Sequence, residues 1–157
     1  ELIRLLTRGG GSQGMVSGQA IDLLATGKQI DLPQLVEMHR LKTAAMIESA
    51  VLMGAVGTGK ADESQLTALK AFSTAIGVAF QIQDDILDVE SSTAELGKKQ
   101  GSDAQSGKST FTSLLGMESA QANVTELFGN SLGSLEGFGE NADRLRSIAN
   151  FIVTRNF

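Results

Sequence analysis

Apolar side chains recur along this chain every three or four residues, and nowhere in the strict alternation of a half-buried strand. The pattern predicts helix almost throughout. "ELIRLLTR" starts inside a helical pattern, as if the helix began earlier, and breaks at the glycine-rich stretch Gly9 to Gly14. "MVSGQAIDLLAT" is predicted as a short helix stopping at Gly27, a residue suited to the left-handed conformation that closes helices. Asp31 and Pro33 mark the next start, because proline is favoured in a first helical turn. That helix is expected to run to about Gly54 and to be followed by a "GTGK" loop. A long helix is then expected from about Asp62 to Val89, and residues 91 to 108 read as a polar loop with a short turn at "STAEL". The next helix is expected from near Ser109 to about Leu135, with Gly116 and Gly129 as candidate kinks. "ENADRLRSIANFIVTRNF" closes the chain, with Asn141 as its candidate N-cap. Short linkers, one proline and no internal repeat make this an all-α, multi-helix array in one domain over residues 1–157.

Composition narrows the function classes. A chain of 157 residues with 41% hydrophobic and 20% charged content can bury a core and is not disordered. A net charge of −5 without blocks of like charge argues against wholesale binding of nucleic acid or anionic membrane. The absence of cysteine excludes disulfides and thiolate metal sites, and a single histidine, His39, argues against a histidine-rich zinc site. The longest apolar stretch, "AAMIESAVLMGAVG", is short and carries Glu48, so neither a membrane span nor a signal peptide is expected, and the cytoplasm is the default location.

One stretch stands against the hydrophobic pattern. "FQIQDDILDVE" places Asp84, Asp85 and Asp88 among Phe80, Ile82, Ile86, Leu87 and Val89. At about 100° per residue, Gly77, Gln81 and the three aspartates share one arc, while apolar side chains fill nearly all of the rest. A helix apolar over most of its circumference is buried among neighbours, so its polar stripe is expected to face a confined gap. Asp84 and Asp88 are one turn apart, roughly 5–6 Å between Cβ atoms. In a partly buried cleft with an effective dielectric near 20, their repulsion is roughly 3 kcal/mol. Such a cluster responds by taking up a proton or a cation, and hard oxygen donors without histidine or cysteine select Mg²⁺ or Ca²⁺. The competing interpretation is a solvated acidic helix end, which the helix macrodipole disfavours at a C-terminus.

Cations lie in other segments. In the helix after Pro33, Glu37, Arg40 and Glu48 cluster on one side, whereas Lys42 falls among Leu35, Met38, Met46 and Met53. An amine on an apolar face either finds an anion or snorkels to water along its aliphatic stem. His39 shares that face and is read as a core or hydrogen-bonded histidine rather than a ligand. "LGKKQGSDAQSGKST" sets Lys98, Lys99 and Lys108 among glycines that allow backbone N–H groups to approach an oxyanion, and Ser109 and Thr110 open a helix N-terminus. An ordinary solvated loop is the alternative. Two apparent nucleotide loops are set aside: "GAVGTGKA" ends in alanine and follows a helix rather than a strand, and "GSDAQSGKS" has one residue too many between Gly101 and Gly107. Acids on one helix and lysines on two other segments suit a diphosphate bridged to the carboxylates by Mg²⁺.

Taken together, these segments resemble the all-trans isoprenyl diphosphate synthase family, most of all its bacterial farnesyl-diphosphate-forming members. "FQIQDDILD" resembles the family's second aspartate-rich motif, "GMVSGQAIDL" its G-M-V-x-G-Q-x-x-D-L segment, "HRLKTAAMI" its K-T segment and "LGKKQGSDAQSGKST" its G-K…G-x-D…G-K-x-T loop. Four ordered segments over about 100 residues are far more specific than D-D-x-x-D alone. The resemblance extends over the whole chain but matches only the C-terminal half of such an enzyme. The first aspartate-rich motif and the basic residues that hold isopentenyl diphosphate are absent, so these residues alone are expected to be inactive.

The resemblance implies an isoprenoid-synthase-type helical array and a prenyl transfer assisted by Mg²⁺, with Mn²⁺ as an alternative ion. It implies that Asp84 ligates the ion, with Asp85 and Asp88 as direct or water-mediated supports. Lys42 and Lys98 would hold the allylic diphosphate and Lys108 would close over it. Thr43 and Gln81 would line the site near the nascent carbocation, and with Lys42 form the catalytic set. Gln19, Asp22 and Asp103 would orient these groups from behind. Arg155 resembles the basic tail that folds over the site. Implied partners are an allylic diphosphate, isopentenyl diphosphate and a second copy of the chain. A longer-chain synthase, such as one making geranylgeranyl diphosphate, and a non-catalytic subunit of the same fold are the competing assignments.

Overall fold

The computed structural model describes residues 1–94 and 107–156, with the side chains of residues 91–94 left aside. The predicted loop residues Lys98, Lys99 and Asp103 lie outside the described residues. Among the described residues there is no strand. In chain order the helices are α1 (Leu2–Gly10), α2 (Met15–Ala25), α3 (Leu32–His39), α4 (Ala45–Thr58), α5 (Glu63–Ala94), α6 (Phe111–Leu115), α7 (Met117–Ser134) and α8 (Asp143–Thr154). A π-helical segment, Arg40–Ala44, joins α3 to α4, and a 3₁₀ segment, Glu136–Ala142, joins α7 to α8. No helix among the described residues is long and apolar enough to cross a membrane.

Local chemistry explains most boundaries. Asp31 caps α3 by accepting the Gln34 N–H at 2.9 Å, while Gln34 accepts the Asp31 N–H at 3.1 Å, a reciprocal pairing that satisfies two otherwise orphaned donors. Thr110 and Ser113 repeat the arrangement at the start of α6. The chain turns at Gly116 (φ 81, ψ 158), one of the two predicted kinks, whereas Gly129 stays within α7. The helix expected to stop at Gly54 continues to Thr58, because Gly54 and Gly57 keep helical geometry and the left-handed cap falls at Gly59 (φ 64). The long helix likewise outruns its predicted end at Val89 and reaches Ala94. Asn141 does not cap the last helix: it lies in the 3₁₀ turn, and Ala142 occupies the N-cap position.

The 32-residue α5 is the axis of the domain, packing against α4, the π segment, α7 and α8. It supplies both cores. Val78, Ile82 and Ile86 join Leu35, Met38, Phe111 and Val124 in one. Leu69, Phe72, Ile76 and Ala79 join Leu135, Ala142 and Ala149 in the other. The near-continuous apolar circumference read from its sequence is what a helix enclosed on several sides requires. On the outer faces of α1 and α2, Ile3, Leu23 and Leu24 remain exposed.

Two glycines set how closely the helices meet. A Cβ at Gly18 of α2 would lie 2.2 Å from the Lys42 backbone nitrogen, and one at Gly77 of α5 would lie 2.5 Å from the Ala44 Cβ. The π segment is thus held against bare backbone on both sides. Gly77 shares the polar arc of α5, and it closes that end of the arc by packing against Ala44. Replacing Gly77 with alanine is expected to destabilise the fold by about 1–3 kcal/mol through overpacking. Gly54→Ala, at a helical site with nothing within 4 Å of the new Cβ, should instead be neutral or stabilise by up to about 1 kcal/mol. Urea denaturation of the two variants checks this, and equal midpoints would remove the steric argument.

Candidate functional site

Beside the π segment lies a cavity of about 290 Å³ whose walls come from α2, α3, the π segment, α5 and the start of α6. Asp22, Lys42, Thr43, Gln81, Asp84, Asp85 and Lys108, all named from the sequence, line it together with His39, Ser109 and Thr110. Three larger cavities, of about 410, 520 and 820 Å³, lie elsewhere among the described residues and gather none of the predicted site residues. Chemistry, not size, marks the site.

The cationic side is organised by Asp22. Its carboxylate accepts from Lys42 Nζ at 2.8 Å and pairs with Lys108 Nζ at 3.1 Å. Burial alone raises the Asp22 carboxyl, but the hydrogen bonds and charges of the two lysines outweigh it and hold it below the usual carboxylate value. Lys42 therefore does more than snorkel: its amine has an anionic partner one helix away. The approach of α2 at Gly18 brings that partner within reach. Ser109 fastens the strip after Lys108 by accepting the Ile30 N–H at 3.1 Å.

The acidic side is less uniform than its sequence. Asp85 is buried and accepts the Phe111 N–H at 2.7 Å, satisfying an orphaned donor in the first turn of α6. Asp84 stands at the rim, about 43% exposed at its side chain, with an oxygen paired to the Arg155 guanidinium. Gln81 Nε2 donates to the other Asp84 oxygen at 3.1 Å. Arg155 also stacks 4.1 Å above the Phe80 ring, a contact that no sequence motif announces. Asp88, half-buried one turn further along α5, does not line the cavity. Gln19 is exposed and also outside it.

His39 joins the two sides. It is buried, its Nδ1 lies 2.7 Å from Gln81 Oε1, and its ring stacks on Phe111 with centroids 5.6 Å apart. The expectation of a hydrogen-bonded core histidine agrees with this position. Burial pushes its pKa down to about 4. The Gln81 hydrogen bond and Asp22 oppose that shift, and Lys42 and Lys108 reinforce it.

Carboxylate oxygens are the donors that Mg²⁺ prefers, so Asp84, Asp85 and Asp88 fit such an ion in kind. Among the described residues no three acidic or histidine side chains stand close enough to hold an ion as they are. Arg155 supplies the positive charge beside Asp84 in this arrangement.

Residues 2–148 match the family model for polyprenyl synthetase. The chain is 42% identical to the farnesyl diphosphate synthase of Escherichia coli, over 99% of this chain and 53% of that protein. It is 37% identical to an FPP/GFPP synthase from Zymomonas mobilis solved in its apo state, with a TM-score of 0.80 over 98% of this chain and 49% of that one. It is 35% identical to a geranyltransferase from Helicobacter pylori complexed with magnesium and isoprenyl diphosphate, with a TM-score of 0.78 over 97% of this chain and 50% of that one. The chain spans about half the length of the relatives it matches.

The buried His39 has a consequence for stability against pH. Its folded pKa of about 4 lies below the ordinary 6.5, so the unfolded chain binds the proton more readily. The neutral ring's contribution is complete above pH 6.5 and is lost as pH falls from there toward 4. The full effect is on the order of 3 kcal/mol. Thermal melts between pH 7.5 and 4 should show wild type losing more stability than His39→Gln, which cannot take up that proton. Parallel curves for the two proteins would contradict the assignment.

Proposed function

The chain belongs to the polyprenyl synthetase family, and from that premise we propose that its cavity forms part of the site of a short-chain trans-prenyltransferase. The proposed reaction joins an allylic diphosphate, dimethylallyl or geranyl, to isopentenyl diphosphate and gives farnesyl diphosphate. One observation carries the proposal: Lys42 and Lys108 share a 290 Å³ cavity with the rim carboxylate Asp84, so anion-binding and cation-binding groups face one space.

In this reaction Lys42 and Lys108 donate to the oxygens of the allylic diphosphate, exchanging part of their pairing with Asp22 for the ligand's negative charge. Lys98, outside the described residues, is assigned as a further donor by the family resemblance. Asp84, supported by Asp85 and Asp88, would hold Mg²⁺, and the ion would supply positive charge to the departing pyrophosphate. Arg155, which pairs with Asp84 here, would have to release that oxygen for Asp84 to take such an ion. The allylic C–O bond breaks, its electron pair leaves with pyrophosphate, and Thr43 and Gln81 line the space beside the resulting carbocation. The isopentenyl double bond attacks the cation, and the pyrophosphate takes the proton lost from the condensed product. Ala25, Ile30 and Met38 in the wall limit the water that could quench the cation. Asp22 keeps the two lysine amines oriented, with Gln19 and Asp103 assigned supporting roles.

The test uses the full-length protein with Mg²⁺, isopentenyl diphosphate and each allylic diphosphate, followed by sizing of the product. A C15 diphosphate is expected; a longer product would move the chain to the longer-chain branch, and none at all would favour a non-catalytic subunit. Asp84→Ala is expected to lower kcat by about 100-fold or more while leaving helix content unchanged. Lys42→Ala is expected to raise KM for the allylic diphosphate by about tenfold or more, as loss of a charge-assisted hydrogen bond requires. Unchanged steady-state constants in both variants would refute the assigned roles.

A further inference from the structure

We propose that His39 is a positioning residue: as its Nδ1–H tautomer it donates to Gln81 Oε1 and so holds the Gln81 amide with its NH₂ against the Asp84 carboxylate, fixing how that acid is presented at the rim. The proposal deepens the prenyl-transfer function given above and rests on it for its consequence.

The hydrogen-bond chain has one consistent direction. A carboxylate only accepts, so the Gln81 atom 3.1 Å from Asp84 Oδ2 is the NH₂ nitrogen. The opposite Gln81 atom, 2.7 Å from His39 Nδ1, is then the carbonyl oxygen, and the ring nitrogen facing it must carry the proton. An Nε2–H tautomer would place two lone pairs 2.7 Å apart, and a flipped Gln81 would set its carbonyl against the carboxylate. His39 and Gln81 are each about 8% exposed, so bulk water is a poor substitute for either partner. The low pKa of the ring agrees with a neutral donor but is not needed for the chain, since the imidazolium also donates from Nδ1.

The ring itself is fixed from two sides. His39 is the last residue of α3, directly before the π segment that carries Lys42 and Thr43. Its face stacks on Phe111, whose N–H is held by Asp85 on the same helix as Gln81 and Asp84. A histidine at this point therefore ties the lysine-bearing segment to the acidic stripe through one amide. Asp84 receives Gln81 at one oxygen and Arg155 at the other, so its plane is set before any ligand arrives.

The tautomer can be observed without turnover. In the full-length protein with ¹⁵N-labelled histidine, the imidazole signals lost in His39→Leu identify this ring. At pH 7.5 they should show a protonated Nδ1 and an unprotonated Nε2, and Gln81→Leu should remove that preference. Calorimetric titration with Mg²⁺ and inorganic pyrophosphate supplies the second arm. His39→Leu is expected to bind about five- to tenfold more weakly, the worth of about one hydrogen bond. His39→Asn, which keeps an N–H donor near the Nδ1 position, should recover to within about twofold of wild type. A protonated Nε2 in wild type, or equal affinities in the leucine and asparagine variants, would overturn the proposal. Asp84→Asn separates the two claims: if it binds as wild type does, or if wild type does not bind, the assignment of the cavity fails while the imidazole signals still decide the role of His39.

Discussion

Between Gly18 of α2 and Gly77 of α5 there is room for a backbone and little else, and the π segment fills it. The organisation of the cavity depends on this contact. It brings Asp22 within 2.8 Å of Lys42 and puts Thr43 in the lining of the cavity with Gln81 and Asp84. A π turn inserts an extra residue into a helix and changes which side chains face which neighbour. Here that residue shift occurs within Arg40–Ala44, the stretch that carries Lys42 and Thr43. Glycine at the two contact points lets three backbones meet closely enough for short side chains to span the gaps.

Charge in the cavity is arranged as internal pairs. Two lysines share Asp22, and Arg155 covers Asp84. Partly buried charges without partners are costly, so a site awaiting a polyanion and a cation is more stable when its own groups neutralise one another. Under the proposed function the ligands would enter by exchange: Lys42 and Lys108 would turn from Asp22 to diphosphate oxygens, and Asp84 would turn from Arg155 to a divalent ion. Such exchange avoids exposing a bare charge in a confined space at any stage.

Much of this was legible along the chain. The arc shared by Gln81, Asp84 and Asp85 was readable because α5 is a regular helix, for which residue number converts directly to direction. The helix starts near Asp31 and Thr110 were readable because start signals act on N–H groups two or three residues away. Errors came where one signal had two meanings. Gly54 looked like a helix stop and is an interior residue; Asn141 looked like an N-cap and sits in a 3₁₀ turn. Gly77 shared the arc of the polar side chains and is a packing contact. Glycine and asparagine permit such conformations without dictating them, so neighbours make the choice.

The sequence by itself determined the all-α class, the burial of α5 and the presence of acids on one helix and lysines on other segments, because helical periodicity and side-chain charge are local properties. Only the tertiary structure decided which charges pair. Asp22 and Lys108 are 86 residues apart, and Asp84 and Arg155 are 71 apart. No local rule links such positions. The partition of three similar aspartates is likewise tertiary: Asp85 turns to the start of α6, Asp84 to the rim, and Asp88 lies beyond the cavity. Their shared arc on the helix made them equivalent in sequence, and the surfaces packed against that arc made them different.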